Sequence, residues 1–75
     1  YKAINLSTLE ELASKNNLSE VTFETLVQAG FVSGNDKVKI LGNGTVTRAL
    51  AVKANAFSKS AEAAIVAAGG SIEKL

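Results

Sequence analysis

Between Lys39 and Gly70 the sequence KILGNGTVTRALAVKANAFSKSAEAAIVAAGG allows few folds. An alternating run, Val38-Lys39-Ile40-Leu41, leads into Gly42-Asn43-Gly44, where glycine supplies backbone that tolerates φ > 0. A second extended run, Leu50 to Ala54, comes next, and then a helix. Phe57, Ala61, Ala64, Ile65 and Ala68 fall on one helical stripe, Ser58 is the expected N-cap, and Gly69-Gly70 stops the helix. Ser71 to Leu75 offers a last strand around Ile72.

The residues before this stretch supply packing. Lys2 to Leu6 alternates, with Ile4 and Leu6 on one face, which suits a short strand. Ser7-Thr8-Leu9-Glu10 has the form of a capping box, in which hydroxyl and carboxylate satisfy each other's free amides. Leu9, Leu12 and Ala13 keep helical spacing up to Asn16-Asn17, and Leu18 to Val21 reads as a connector. Thr22 is the next expected N-cap, ahead of an apolar stripe of Phe23, Leu26 and Val27, and Gly30 suits a left-handed terminus. Phe31 and Val32 are expected to fold back onto that helix, and Ser33-Gly34-Asn35-Asp36 to turn the chain.

Two strand–helix–strand crossovers follow, one from Leu6 to Val38 and one from Ala54 to Ile72. Connections of that length favour parallel pairing with helices covering the sheet. The expected fold class is therefore a small α/β domain of about four short strands, partly parallel, and about three short helices. No internal repeat recurs at a fixed period.

Length limits the alternatives. Seventy-five residues make one domain, residues 1–75, that buries only roughly 60% of its unfolded surface. There is no cysteine to staple it, and without cysteine or histidine the usual zinc ligands are missing. The hydrophobic share, 47%, is ample for a core and argues against disorder. The chain starts at Tyr1 and contains no methionine, so a processed chain or a fragment of a longer protein is expected. No apolar run approaches the ~18 residues of a membrane span, and no signal-peptide pattern is present. The lack of cysteine fits a reducing cytoplasm.

Catalysis has little support. The commonest general base and the thiol nucleophile are absent. Ser7, Ser19, Ser58, Ser60 and Ser71 all sit where caps or turns are expected, and Glu10 and Glu11 diverge by about 100° on a helix. Gly42-Asn43-Gly44 resembles the start of a dinucleotide fingerprint, yet Thr47 stands where the third glycine belongs and strand follows instead of helix. No cofactor and no small-molecule substrate are expected.

Charge is the better signal. From Lys37 to Lys59 there are five basic residues and no acid, whereas the rest of the chain holds three basic residues against seven acids. No aromatic is interleaved for base stacking, so contact with phosphates is the available mode of nucleic-acid binding. The candidate RNA-binding residues are Lys37, Lys39, Gly42, Asn43, Gly44, Arg48, Lys53 and Lys59, the glycine loop allowing close approach of an RNA backbone. A solvated sheet surface accounts for the same lysines if composition alone is weighed.

The run Lys39, Ile40-Leu41, Gly42, Gly44, Val46, Leu50, Val52, Phe57-Ser58, Ala61, Ile65 and Gly69 resembles the C-terminal motif of the bacterial large-subunit ribosomal protein fifteen family. Upstream, Thr22-Phe23-Glu24-Thr25-Leu26 through Ala29-Gly30 resembles the threonine-capped helix that precedes the motif. The resemblance covers nearly the whole chain. It implies an irregular superhelix of strand–strand–helix units. It also implies a structural, non-enzymatic ribosomal protein in the cytoplasm that binds large-subunit rRNA, meets neighbouring ribosomal proteins and supports subunit assembly. Members carry a long basic N-terminal extension, so this chain is expected to be the C-terminal globular half of a longer one. The competing reading is a protein-docking module with no direct RNA role.

Overall fold

Every strand of this chain pairs with one that is distant in sequence. The computed structural model describes all 75 residues, Tyr1–Leu75. In order they form β1 (Lys2–Asn5), α1 (Leu6–Asn16), β2 (Glu20–Val21), α2 (Phe23–Gln28), β3 (Val38–Leu41), β4 (Ala51–Ala54), β5 (Ala56–Phe57), α3 (Lys59–Ala67) and β6 (Ser71–Lys74). Odd-numbered strands make one three-stranded sheet, β1-β3-β5, and even-numbered strands make the other, β2-β4-β6. All four pairings are parallel. The chain therefore alternates between sheets and winds as a superhelix, each turn laying one strand on each sheet. No helix is long and apolar enough to cross a membrane.

Each turn contributes one apolar residue to a ladder across each sheet. Ile4, Ile40 and Phe57 stand side by side in the first sheet. Val21, Val52 and Ile72 do so in the second. The central members, Ile40 and Val52, are buried, and the core they join contains no polar side chain. Leu6, Leu9, Leu12 and Ala13 of α1, Leu26 of α2, and Ala61 and Ile65 of α3 close over it. Sheets this short cannot bury an apolar face alone, so the helices complete the core.

Local signals account for the helix boundaries. Thr22 Oγ1 accepts from Thr25 N–H at 3.2 Å, and Thr25 Oγ1 accepts from Thr22 N–H at 3.4 Å, a reciprocal cap on α2. Ser58 Oγ accepts from Ala61 N–H at 3.2 Å at the start of α3. The Asp36 carboxylate accepts from the Ser33 amide and hydroxyl at 2.8 and 3.0 Å, which closes the turn before β3. Asn55 bridges β4 and β5: its Oδ1 accepts from Val38 N–H at 2.8 Å, and its own N–H donates to the Val38 carbonyl at 3.1 Å. That reciprocal pair lets the chain change sheets in a single residue.

Several expectations need correction. Ser7 is not a cap, because β1 runs directly into α1 and Leu6 opens the helix. The two-residue spacing of Ile4 and Leu6 suits a strand, but Leu6 also continues the stripe of Leu9 and Ala13, and helical packing buries it. Asn5 takes the N-cap position without a side-chain capping bond, and its Oδ1 is buried without a partner. The connector Leu18 to Val21 contains β2, and Phe57 belongs to β5 as well as packing beside α3. Of the pair expected to fold back, Val32 is buried and Phe31 remains 43% exposed.

Candidate RNA-binding surface

The Gly42–Gly44 loop runs between the first turns of two helices. Ser7 N–H, in the opening turn of α1, donates to the Asn43 carbonyl at 3.1 Å. On the other side, a Cβ at Gly42 would strike the Ser60 side chain and stand 3.2 Å from the Ala61 amide nitrogen. Gly42 is thus a position of close approach, not one of positive φ as the sequence suggests. Gly44 does take positive φ, +97°, and a Cβ there would lie 2.7 Å from the Ser7 amide nitrogen. Both helix starts carry the positive end of a macrodipole, and Lys59 is the first residue of α3. Gly42, Asn43, Gly44 and Lys59 are accordingly drawn into one neighbourhood.

The remaining basic residues have different surroundings. Lys39 is exposed at an outward position of β3, with Ala3 and Ala56 beside it in the register. Lys37 is exposed just before the strand, and its carbonyl accepts from Lys2 N–H at 2.6 Å. Lys53 is carried by the other sheet, on β4, with Glu73 of β6 next to it. Arg48 lies in the loop between β3 and β4, close to Glu10 of α1. Two of the five cations are therefore faced by acids from remote parts of the chain, and three are not.

Glu10 is the residue the sequence misplaces. Instead of completing a cap with Ser7, its carboxylate accepts from Thr47 N–H at 3.3 Å and from the Thr47 hydroxyl. The Thr47 hydroxyl holds this carboxyl below the usual range, helped by the Thr47 and Arg48 amides and the Arg48 charge. Thirty-seven residues separate the partners, so no local pattern announces the contact. A shallow polar furrow beside it is lined by Ser7, Glu10, Glu11, Ser14, Lys15, Gly44 and Thr45. Its two carboxylates disfavour a phosphate on the α1 side of the loop, and on the α3 side Lys59 opens the helix with Glu62 in the same first turn.

A family described as ribosomal proteins 50S-L15 and 50S-L18e, together with their 60S counterpart, has a sequence pattern that matches residues 3–73. This chain belongs to that family. Its curated relatives include the large ribosomal subunit protein uL15 of Porphyromonas gingivalis, 61% identical over all 75 residues and 51% of that protein. The uL15 of Bacteroides thetaiotaomicron is 57% identical over the same span, again 51% of its length. That of Amoebophilus asiaticus is 53% identical over 93% of this chain and 46% of its own. The chain spans about half the length of these relatives, and the part it matches is the C-terminal domain of uL15. The three helices and two parallel sheets agree with the small α/β domain expected. There are six strands where about four were expected, all of them paired in parallel, and strand–strand–helix order holds only around α3.

Most residues that carry the family resemblance have a structural job. Ile40, Val46, Leu50, Val52, Ala61 and Ile65 are core, Phe57 packs against it, and Ser58 caps α3. Gly42 admits the Ser60 side chain and Gly44 admits Ser7, and Gly69 takes φ +89° after α3. Lys39 has no such job.

Proposed function

We propose that this chain is a structural, non-enzymatic domain of the large ribosomal subunit that contacts rRNA through phosphates. Lys39 carries the proposal: it is exposed, flanked by alanines, and sits on the strand that leads into the Gly42–Gly44 loop. Lys37, Lys59, Arg48 and Lys53 extend the positive surface, each with an acid nearby: Asp36, Glu62, Glu10 and Glu73 respectively. Gly42 is packed against the start of α3, but Asn43 and Gly44 are exposed and offer the loop to an approaching phosphate, a contact that positions RNA without reading its sequence. Neighbouring ribosomal proteins meet the remaining, net acidic surface, and the protein works on cytoplasmic ribosomes.

Two phosphate contacts give a log–log salt slope of about −2, so binding by this domain is weak and salt-sensitive. Filter binding to large-subunit rRNA at two salt concentrations tests it. Replacing Lys39, Arg48 and Lys53 together with glutamine abolishes most binding, whereas replacing Lys2, Lys15 and Lys74 changes little. Equal losses from both triple variants would refute the assignment. Binding to a ribosomal protein that is insensitive to salt, with none to RNA, would favour the docking reading instead.

A further inference from the structure

We propose that Glu10 is a positioning residue: by holding Thr47, it sets where Arg48 stands on the RNA-binding surface. The inference rests on the reading of Arg48 as a phosphate contact. An acid beside such a contact is unexpected, since a carboxylate repels the ligand. The geometry explains its place. Residues 44–49 make no backbone–backbone hydrogen bond, although Gly42–Leu50 is the longest departure of this motif from regular structure. On the apolar side Val46 and Leu50 enter the core. On the polar side residues 44–49 are tied down through Glu10, which accepts from the Thr47 amide and hydroxyl.

Glu10 is well placed to anchor a loop. It projects from α1, whose Leu6, Leu9, Leu12 and Ala13 are buried, so the carboxylate stands on a fixed platform. Both of its oxygens are used by one residue, Thr47, which immediately precedes Arg48. The Arg48 amide and guanidinium also face the same carboxylate. A long side chain on an untethered loop loses rotamer freedom and backbone freedom together on meeting RNA. With Thr47 held, part of that backbone ordering is in place before binding.

The two roles open to Glu10 predict opposite signs. If it is only a negative charge near RNA, Glu10→Ala and Glu10→Gln both tighten binding. As a positioning residue, Glu10→Ala weakens binding by about three- to fivefold, a fraction of a tenfold step. Glu10→Gln keeps an acceptor oxygen for Thr47 and stays at or above wild-type affinity. Thr47→Val, which removes only the hydroxyl, falls between. Filter binding to large-subunit rRNA is measured alongside amide hydrogen exchange at Thr47 and Arg48. The expected result adds faster exchange at both amides in Glu10→Ala, and loss of the Glu10→Ala effect in an Arg48→Gln background. Tighter binding by Glu10→Ala, or unchanged exchange at Thr47, overturns the proposal. Should Arg48→Gln alone bind like wild type, the RNA role of Arg48 fails, and the positioning role with it. Exchange at Thr47 still reports on the tether itself, so the two failures are told apart.

Discussion

β3 and β4 occupy equivalent places, each the central strand of a three-stranded parallel sheet, and each carries a lysine between apolar neighbours. Along the sequence Lys39 and Lys53 look alike. Across the sheets they do not: Lys39 stands between Ala3 and Ala56, and Lys53 stands beside Glu73. The sign and reach of a surface charge depend on what the neighbouring strand brings within a few ångströms. A basic stretch of sequence is thus not yet a basic surface.

The largest test of this comparison concerns the ladders beneath the lysines. Ile40 is buried at the centre of its sheet, whereas Ile72 lies half-buried on an edge strand. Ile40→Ala should cost roughly 2–5 kcal/mol in a denaturant titration, and Ile72→Ala clearly less. Equal losses would mean that the edge strand β6 is anchored as firmly as the central strand β3.

Glycines give the next contrast. Gly44, after β3, takes φ +97° with Ser7 hard against it, while Gly69, before β6, takes φ +89° with Ala49 Cβ a comfortable 3.6 Å from an added Cβ. Gly69→Ala should cost about 1 kcal/mol, the conformational penalty alone. Gly44→Ala should cost more, since Ser7 must also move. Thermal melts of the two variants compare them directly, and a smaller loss at Gly44 would contradict the close approach.

Binding sharpens the lysine comparison itself. Lys39→Gln should lower the magnitude of the rRNA salt slope by about one unit, and Lys53→Gln by less. Placing an acid beside Lys39, by Ala3→Glu, should reduce its contribution toward that of Lys53. Glu73→Gln should strengthen binding by releasing Lys53. If Lys53 proves the stronger contact, the register does not govern these charges.

The smallest effect is that of pH. Glu10 and Asp36 are held below the usual carboxylate range, Glu10 chiefly by the Thr47 hydroxyl and Asp36 chiefly by the Ser33 amide. A carboxyl depressed in the folded state favours folding above its unfolded value and loses that contribution as pH falls through the folded one. Both groups are exposed, so denaturation midpoints should decline only slightly as the solution is acidified through the carboxylate range. The part due to Glu10 should be missing from Glu10→Gln. An identical decline in that variant would show that the ionisation of Glu10 adds nothing to stability.

Much of this architecture is legible in local sequence, and for a definite reason. The stripe of α3, its Ser58 cap, the Thr22 cap of α2 and the alternation of β3 depend on residues within four positions of one another. Both crossovers were readable from their lengths, since parallel strands need them. The Ser7 capping box failed because a motif states which bonds are possible, and β1 runs too directly into α1 for this one to form. β2 and β5 escaped notice because two residues carry no measurable period.

A resemblance of the run from Lys39 to Gly69 pointed to the family, and the sequence by itself determined the helices and the central strands. Those follow from periodicity and from backbone preferences of glycine, serine and threonine, which act over one or two turns. Only the tertiary structure decided that β3 and β4 belong to different sheets, that Glu10 grips Thr47, and that Glu73 stands beside Lys53 while Lys39 stands among alanines. Each of these depends on a partner brought close by the winding of the chain. Spacing along the sequence contains no term for such a partner, because parallel pairing sets the register between strands many residues apart.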